Sequence, residues 1–311
     1  LGLKTQVIVN PESDRGRTGK KWSQIKDALK SFLKEFKCEF TEKPLQATEI
    51  SRTAIKEGSE LIVGIGGDGT VNEIANGFYE DFEPINPATI LGVVPSGRGS
   101  DFSRSLNIQP GLKSALEVIT QNTSSAIDIG KVSYKDHAGQ DQTRYFLNIS
   151  DFGLGGEVCR RMNLDRAERK TSSYFKSTLA AFINYRHKRV KLRIDGEELP
   201  VSNYLIGAIS NGRIFGKGMR VAPRAELDDG LFDVVLIKGM KVFEFCLNVW
   251  RVYTGRHLSH SKVELIRGRT IEALPDSGEK EVLIEVDGEQ LGKLPATFHI
   301  LPKKILVKAN L

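Results

Sequence analysis

The sequence predicts an α/β protein in two parts: an N-terminal doubly wound domain, then a mostly antiparallel β-sandwich domain. Two observations carry this. Over residues 1–128 short apolar runs alternate with segments of helical period, whereas over 129–297 short strand patterns follow one another through turn dipeptides. Alternation builds parallel β-α-β units; consecutive short strands build antiparallel sheets.

Thr5–Asn10 (TQVIVN) has the pattern of a buried strand. From Trp22 to Phe36, apolar residues stand at Trp22, Ile25, Ala28, Leu29, Phe32, Leu33 and Phe36, the spacing of one helix face. Glu39–Glu42 reads as a short strand and Ala47–Glu57 as a helix ending at Gly58. Leu61–Ile65 is a second strong strand, Val71–Phe78 opens another helix, and Ile90–Val94 is a third strand stopped by Pro95. Ligands of such sheets bind beyond the carboxyl ends of the strands, where the glycine-rich and Pro-containing loops fall.

In the second part, strands are expected at Gly130–Tyr134, Arg144–Ser150, Val190–Ile194, Tyr204–Ser210, Phe232–Lys238, Lys262–Ile266, Thr270–Ala273 and Val282–Val286. Asp195-Gly196, Asp229-Gly230 and Asp287-Gly288 supply turns between them. One helix interrupts, with Phe175, Leu179, Phe182 and Ile183 as its apolar stripe.

Composition narrows the classes. With 40% hydrophobic and 27% charged residues, the chain has the make-up of a globular protein rather than a disordered or fibrous one. No apolar run reaches the roughly 18 residues of a membrane-spanning helix, and no signal-peptide layout opens the chain. Cys38, Cys159 and Cys246 are scattered, which fits thiols in a reducing cytoplasm, not a disulfide framework or zinc cluster. The formal charge of +6 is concentrated: Glu157–Arg193 holds eleven Lys or Arg against three Asp or Glu. That patch favours anionic partners.

Gly64-Ile65-Gly66-Gly67-Asp68-Gly69 satisfies G-x-G-x-x-G between a strand and a helix, the dinucleotide fingerprint. Two features turn it away from an oxidoreductase. It follows the second strong strand, and Asp68 puts a carboxylate where a pyrophosphate would approach a helix N-terminus. A phosphotransferase uses the same residues better. Glycines let backbone N–H groups reach phosphate oxygens, and the helix adds its partial positive charge. Asp68 then serves a ribose or a metal, while Thr70 and Asn72 are short polar groups at the helix start. The Walker sequence G-x-x-x-x-G-K-[ST] and the hydrolase elbow G-x-S-x-G are both absent. The N-terminal domain is therefore expected to bind a nucleotide. Asp287 is a carboxylate in a turn after a buried strand; from the residues alone it is either a base or an ordinary Asp-Gly turn, and the ordinary-turn reading applies to Asp229-Gly230 as well.

Gly66–Glu73 (GGDGTVNE) resembles the signature of the lipid kinases that include bacterial diacylglycerol, sphingosine and ceramide kinases. Asn10-Pro11-Glu12-Ser13, Pro95–Phe102, Asn211–Gly230 and Ile284–Glu289 resemble further blocks of that family, in family order. The resemblance implies that 298–311 returns to the first domain. It implies ATP and Mg²⁺ as cofactors, with Gly66, Gly67, Asp68, Gly69, Thr70 and Asn72 on the phosphates and ribose. Asn10 and Arg15 would lie on the phosphate side, Thr41 beside the nucleotide, and Asp101 on a magnesium network. Asp229, with main-chain oxygens near Glu226 and Leu231, would hold a structural Mg²⁺. Asp287 would be the general base, with Glu289 beside it.

Three departures stand out. Arg98 and Ser100 replace the usual Thr and Asn, and Asp14 stands where the family has a glycine. Arg98 offers a fixed positive charge to a phosphate. The implied activity is phosphorylation of diacylglycerol or a related lipid by a cytoplasmic enzyme touching the inner membrane surface. Its basic patch, Arg160, Arg161, Arg166, Arg169, Lys170, Lys176 and Arg186–Arg193, would face anionic headgroups. No nucleic-acid partner is expected, and a homodimer is left open. An NAD kinase-like phosphotransferase and a nucleotide-binding regulatory protein without turnover are the alternatives.

Overall fold

The computed structural model describes residues 2–97, 99–167, 180–183 and 185–311. The first apolar runs form a parallel sheet. β1 (Thr5–Val9) lies between β2 (Lys37–Phe40) and β3 (Leu61–Gly66), and β6 (Ile90–Pro95) follows β3. Every residue of β1 and β3 is buried, as expected of strands covered on both faces. Covering helices include α2 (Trp22–Phe32), which packs with α6 (Leu112–Ile119), and α3 (Gln46–Lys56), which packs with α4 (Asp68–Asn76). A two-residue pair, β4 (Tyr79–Glu80) and β5 (Glu83–Pro84), closes the loop after α4.

The helix expected to reach Phe36 stops at Phe32. Leu33 is extended because the chain must turn into β2, which starts two residues earlier than the sequence suggested. α1 (Ser13–Lys20), α5 (Asp101–Ser105) and α6 were not legible as helices; they are short, and α1 opens with three left-handed residues.

The second part is antiparallel. β7 (Ser125–Lys135), β8 (Asp141–Phe146), β9 (Ile149–Gly153), β10 (Lys188–Ile194), β11 (Glu197–Glu198), β12 (Ser202–Ser210), β13 (Phe232–Lys238), β14 (Val263–Gly268), β15 (Thr270–Pro275) and β16 (Leu283–Val286) enclose a second core that includes Phe146, Phe152, Phe232 and Phe298. Two helices here went unread, α7 (Leu154–Ala167) and α8 (Val242–Thr254). Of the helix expected around Phe175 and Leu179, residues 180–183 are helical; Phe175 and Leu179 lie outside the described residues.

β17 (Glu289–Val307) joins the halves. It pairs antiparallel with β7, β15 and β16, then ends with Leu306 and Val307 parallel to Ile90 and Leu91 of β6. Lys308, just beyond, is 1% exposed and donates to the carbonyls of Gln121 and Thr123 after α6. A buried ammonium is tolerated when such acceptors replace water.

Candidate functional site

A cleft of about 610 Å³ opens beyond the carboxyl ends of β1, β3 and β6, facing the turn between β16 and β17. Its first wall is the loop after β1. Asn10 donates from Nδ2 to Thr70 Oγ1 at 2.9 Å and accepts the Glu12 amide, so this loop is tied to the start of α4. Asp14, Arg15 and Gly16 follow with φ of 49°, 60° and 77°. A non-glycine residue in that region costs on the order of 1–2 kcal/mol. The conformation explains why a glycine suits position 14 and what Asp14 gives up there.

The second wall is the glycine turn. A Cβ on Gly97 would sit 2.7 Å from the Cα of Gly67, so the turns after β3 and β6 touch backbone to backbone. A Cβ on Gly69 would meet Glu289 Oε1 at 2.8 Å, so the β16–β17 turn closes directly onto this one. Asp68 lines the cleft and also ties two loops together. Its carboxylate accepts the amides of Asp101 and Phe102, both at 3.2 Å, and caps α5. Burial pushes Asp68 up, and those amides pull it back. Asp101 in turn accepts the amides of Lys217 and Gly218 at 2.7 and 2.9 Å. Asp68 and Asp101 thus fasten the loops after β3 and β6 to the second half of the chain.

The opposite wall is Asp287. Its Oδ2 accepts from Leu147 N at 2.8 Å and Asn72 Nδ2 at 2.9 Å; its Oδ1 accepts from Ile149 N at 3.0 Å and Asn148 N at 3.1 Å. Four donors fill the acceptor capacity of an ionised carboxylate. The single strand expected over Arg144–Ser150 is therefore two, broken where Leu147 and Asn148 turn their amides onto Asp287. Burial pushes Asp287 up to about 6 against the pull of these bonds. Asn72 is buried beneath the turn. It gives its amide to Asp287 and to the Tyr145 carbonyl, and accepts from Arg144 Nε. It couples α4 to Asp287.

The cleft brings together Asn10, Arg15, Gly67, Asp68, Gly69, Thr70, Asp101, Asp287 and Glu289. Gly66 lies behind it, under Thr70. Thr41 follows β2, with its amide on the Val9 carbonyl, at the same sheet edge but not on the cleft wall. Arg98 lies outside the described residues. Glu226, Asp229 and Leu231 do not reach the cleft.

The residues around Asp229 do not fit a metal ion. The Arg267 guanidinium bonds Asp229 and, through Nε at 2.9 Å, Asp233. Asp229 also accepts the Leu231 amide, while the buried Asp128 holds this turn through the Gly230 amide. One protein cation, shared by two carboxylates, already occupies the side-chain oxygens of Asp229. Among the described residues no group of three or more His, Cys, Asp or Glu is arranged to hold a metal.

Sequence reasoning also missed Asn148, Cys159, Met162 and Phe215 on the cleft, and a carboxyl pair behind Asp287. Asp151 on β9 and Glu285 on β16 are register partners, both fully buried. Burial raises both, so the pair retains a proton where isolated carboxyls would lose it. Alternation on two strands signals burial, but not that two carboxylates lie opposite one another.

The basic patch is partly neutralised. Lys188, Arg189, Lys191 and Arg193 of β10 pair with Glu279, Asp276, Glu272 and Glu198, and Arg160 pairs with Glu157. The side chain of Arg166, and Arg169, Lys170 and Lys176, lie outside the described residues.

Two family descriptions match the chain: the diacylglycerol kinase catalytic domain over residues 4–132, and the YegS C-terminal NAD kinase beta sandwich-like domain over 149–309. A diacylglycerol kinase of Staphylococcus aureus is 31% identical, over 98% of this chain and 92% of that protein. The chain belongs to the diacylglycerol kinase family. A Staphylococcus haemolyticus diacylglycerol kinase is 30% identical over 97% and 87% of the two chains. In fold, a diacylglycerol kinase from Bacillus anthracis aligns with a TM-score of 0.72 at 21% identity, over 99% of this chain and 97% of that one. An NAD kinase from Archaeoglobus fulgidus in complex with ATP aligns at 0.51 and 14%, over 98% and 94%. Membership makes this chain a kinase, built as an α/β domain followed by an antiparallel β-sandwich-like domain.

Proposed function

We propose that the protein is an ATP-dependent lipid kinase that moves the γ-phosphate to a hydroxyl of diacylglycerol or a related lipid. The supporting observation is the meeting, across one cleft, of a glycine-built helix N-terminus and the Asp287–Glu289 turn. One side suits phosphate; the other suits a hydroxyl proton. The names of its relatives support diacylglycerol as the acceptor.

Phosphoryl transfer asks the protein for alignment, charge neutralisation and a proton acceptor. In this reading Asn10, Arg15 and Gly67–Thr70 hold the phosphates, and Mg²⁺ enters with the nucleotide, since it prefers phosphate oxygens and water. Asp287, at about 6, has the proton affinity a base needs near neutral pH. Its four hydrogen bonds mean that one donor withdraws as it takes a proton. The Asn148 amide, at 3.1 Å, is the longest of them. Glu289, beside Gly69, lies between this base and the phosphate turn. The enzyme would work at the inner face of the membrane.

The test is radiolabelled ATP with a panel of diacylglycerol, phosphatidylglycerol, sphingosine and NAD. Label in diacylglycerol is expected. Label only in NAD, or nucleotide binding without any transfer, overturns the reading.

A further inference from the structure

α8 carries apolar residues on both sides. On the inner side Phe245 stacks on Phe182, ring centroids 4.8 Å apart, and Val242 packs with the cluster of Leu154, Val158 and Met240. On the outer side Phe243 is 75% exposed, Leu247 57%, Trp250 50% and Tyr253 46%. Steps of four, three and three place these on one stripe of the helix. Scattered exposed apolar residues are ordinary, but a continuous stripe with three aromatics marks a contact surface.

Charge selects the occupant. Lys241 precedes the helix and Arg256 follows it, both exposed, and the Arg251 guanidinium lies 5.7 Å from the Trp250 ring centre. The one carboxylate of the helix, Glu244, is held by Lys262 Nζ at 2.6 Å. Across the Phe182–Phe245 contact, a second cleft of about 320 Å³ is lined by Arg161, Arg186, Lys188 and Lys280 together with Glu157 and Glu281. An apolar stripe rich in aromatics and flanked by cations suits the boundary between headgroups and acyl chains of an anionic bilayer.

We propose that α8 docks this protein on anionic membranes, with Phe243, Leu247 and Trp250 entering the headgroup–acyl boundary and Lys241, Arg251 and Arg256 on the headgroups. The inference deepens the lipid-kinase reading, in which the acceptor resides in a bilayer, but it is measured without turnover.

The chain has two tryptophans, Trp22 and Trp250, so Trp22→Phe leaves Trp250 as sole reporter. With phosphatidylglycerol–phosphatidylcholine vesicles its emission should shift to the blue and be quenched by brominated acyl chains. Phosphatidylcholine alone should produce neither change. Phe243→Ser with Leu247→Ser should lower vesicle sedimentation about tenfold or more, in keeping with the apolar surface lost. Arg251→Gln with Arg256→Gln should remove much of its salt sensitivity. Both double variants should keep the wild-type melting temperature. Unchanged Trp250 emission, or equal sedimentation of the serine variant, overturns the proposal. So does a wild-type dimer that the serine variant turns into a monomer with no change in vesicle binding; the stripe is then an interface between copies. Insertion of Trp250 without phosphorylation of any lipid would leave the docking intact and sink the lipid-kinase reading instead.

Discussion

Asp229-Gly230 and Asp287-Gly288 are the same dipeptide, each beside a strand of the second core, and their surroundings have opposite physics. Asp229 meets a side-chain cation, Arg267, which also binds Asp233 on the neighbouring strand. Among the described residues, Asp287 accepts from dipoles: three backbone amides and the Asn72 amide. A carboxylate bonded to a shared guanidinium has its charge partly offset and less to offer a second cation. A carboxylate held by dipoles in a buried place keeps its charge at a cost, and its proton affinity rises. The difference teaches that the Asp-Gly signal reports a turn, while chemistry depends on what the rest of the fold turns toward it.

The comparison breaks most sharply at Asp287. Asp287→Asn puts an NH₂ against backbone donors, so turnover should fall by roughly 10²–10⁴-fold. Stability should fall too, by about 1–3 kcal/mol, because buried amides lose their acceptor. Steady-state kinetics and thermal melts check both; normal turnover with a normal melt removes Asp287 from the site. A milder probe is the pH profile: turnover should rise through about pH 6, and keep that limb in Glu289→Gln if Asp287 is the base.

Next in size is Arg267→Met, which leaves Asp233, 2% exposed, without its cation and should cost about 1–3 kcal/mol. In the unmodified protein, Mg²⁺ against chelator should shift the melting temperature by less than about 1 °C, since Arg267 already occupies Asp229. A clear Mg²⁺-dependent rise would restore a metal at this turn.

A smaller effect concerns the carboxyls behind Asp287. Asp287, Asp151 and Glu285 are all raised in the fold. A raised carboxyl binds its proton more tightly folded than unfolded. Its contribution is therefore complete below the unfolded value near 3.8 and is lost as pH rises through the folded value, about 6 for Asp287. Melts between pH 4 and 8 should show stability declining from this source. Glu285→Gln should flatten the decline and raise the melting temperature at pH 8 by about 2–4 °C. No flattening would mean that the pair does not titrate there.

The smallest expected change is Asp14→Gly. It removes a left-handed non-glycine residue and should change stability by no more than about +1 kcal/mol. Its value lies in kinetics: an altered Michaelis constant for ATP would tie the loop after β1 to the phosphates.

Local order along the chain was enough for the parallel core, the glycine turn and most second-half strands, because those depend on period, short-range turn chemistry and runs of Val, Ile and Leu. Gly66–Thr70 was legible for the same reason: a turn, a helix N-terminus and a strand end lie within five residues. What stayed hidden is made by contacts far apart in sequence. The break at Leu147–Asn148 exists because Asp287, 140 residues away, takes those amides. The Arg267 lock on Asp229 spans 38 residues. α8 carries a narrow polar stripe, Glu244, Asn248 and Arg251, between two apolar ones, and only its packing on Phe182 shows which apolar stripe is left outside. Turns and buried strands follow from nearest neighbours. Whether a carboxylate is neutralised, desolvated or ready to act depends on the dielectric and the donors that tertiary packing assembles around it.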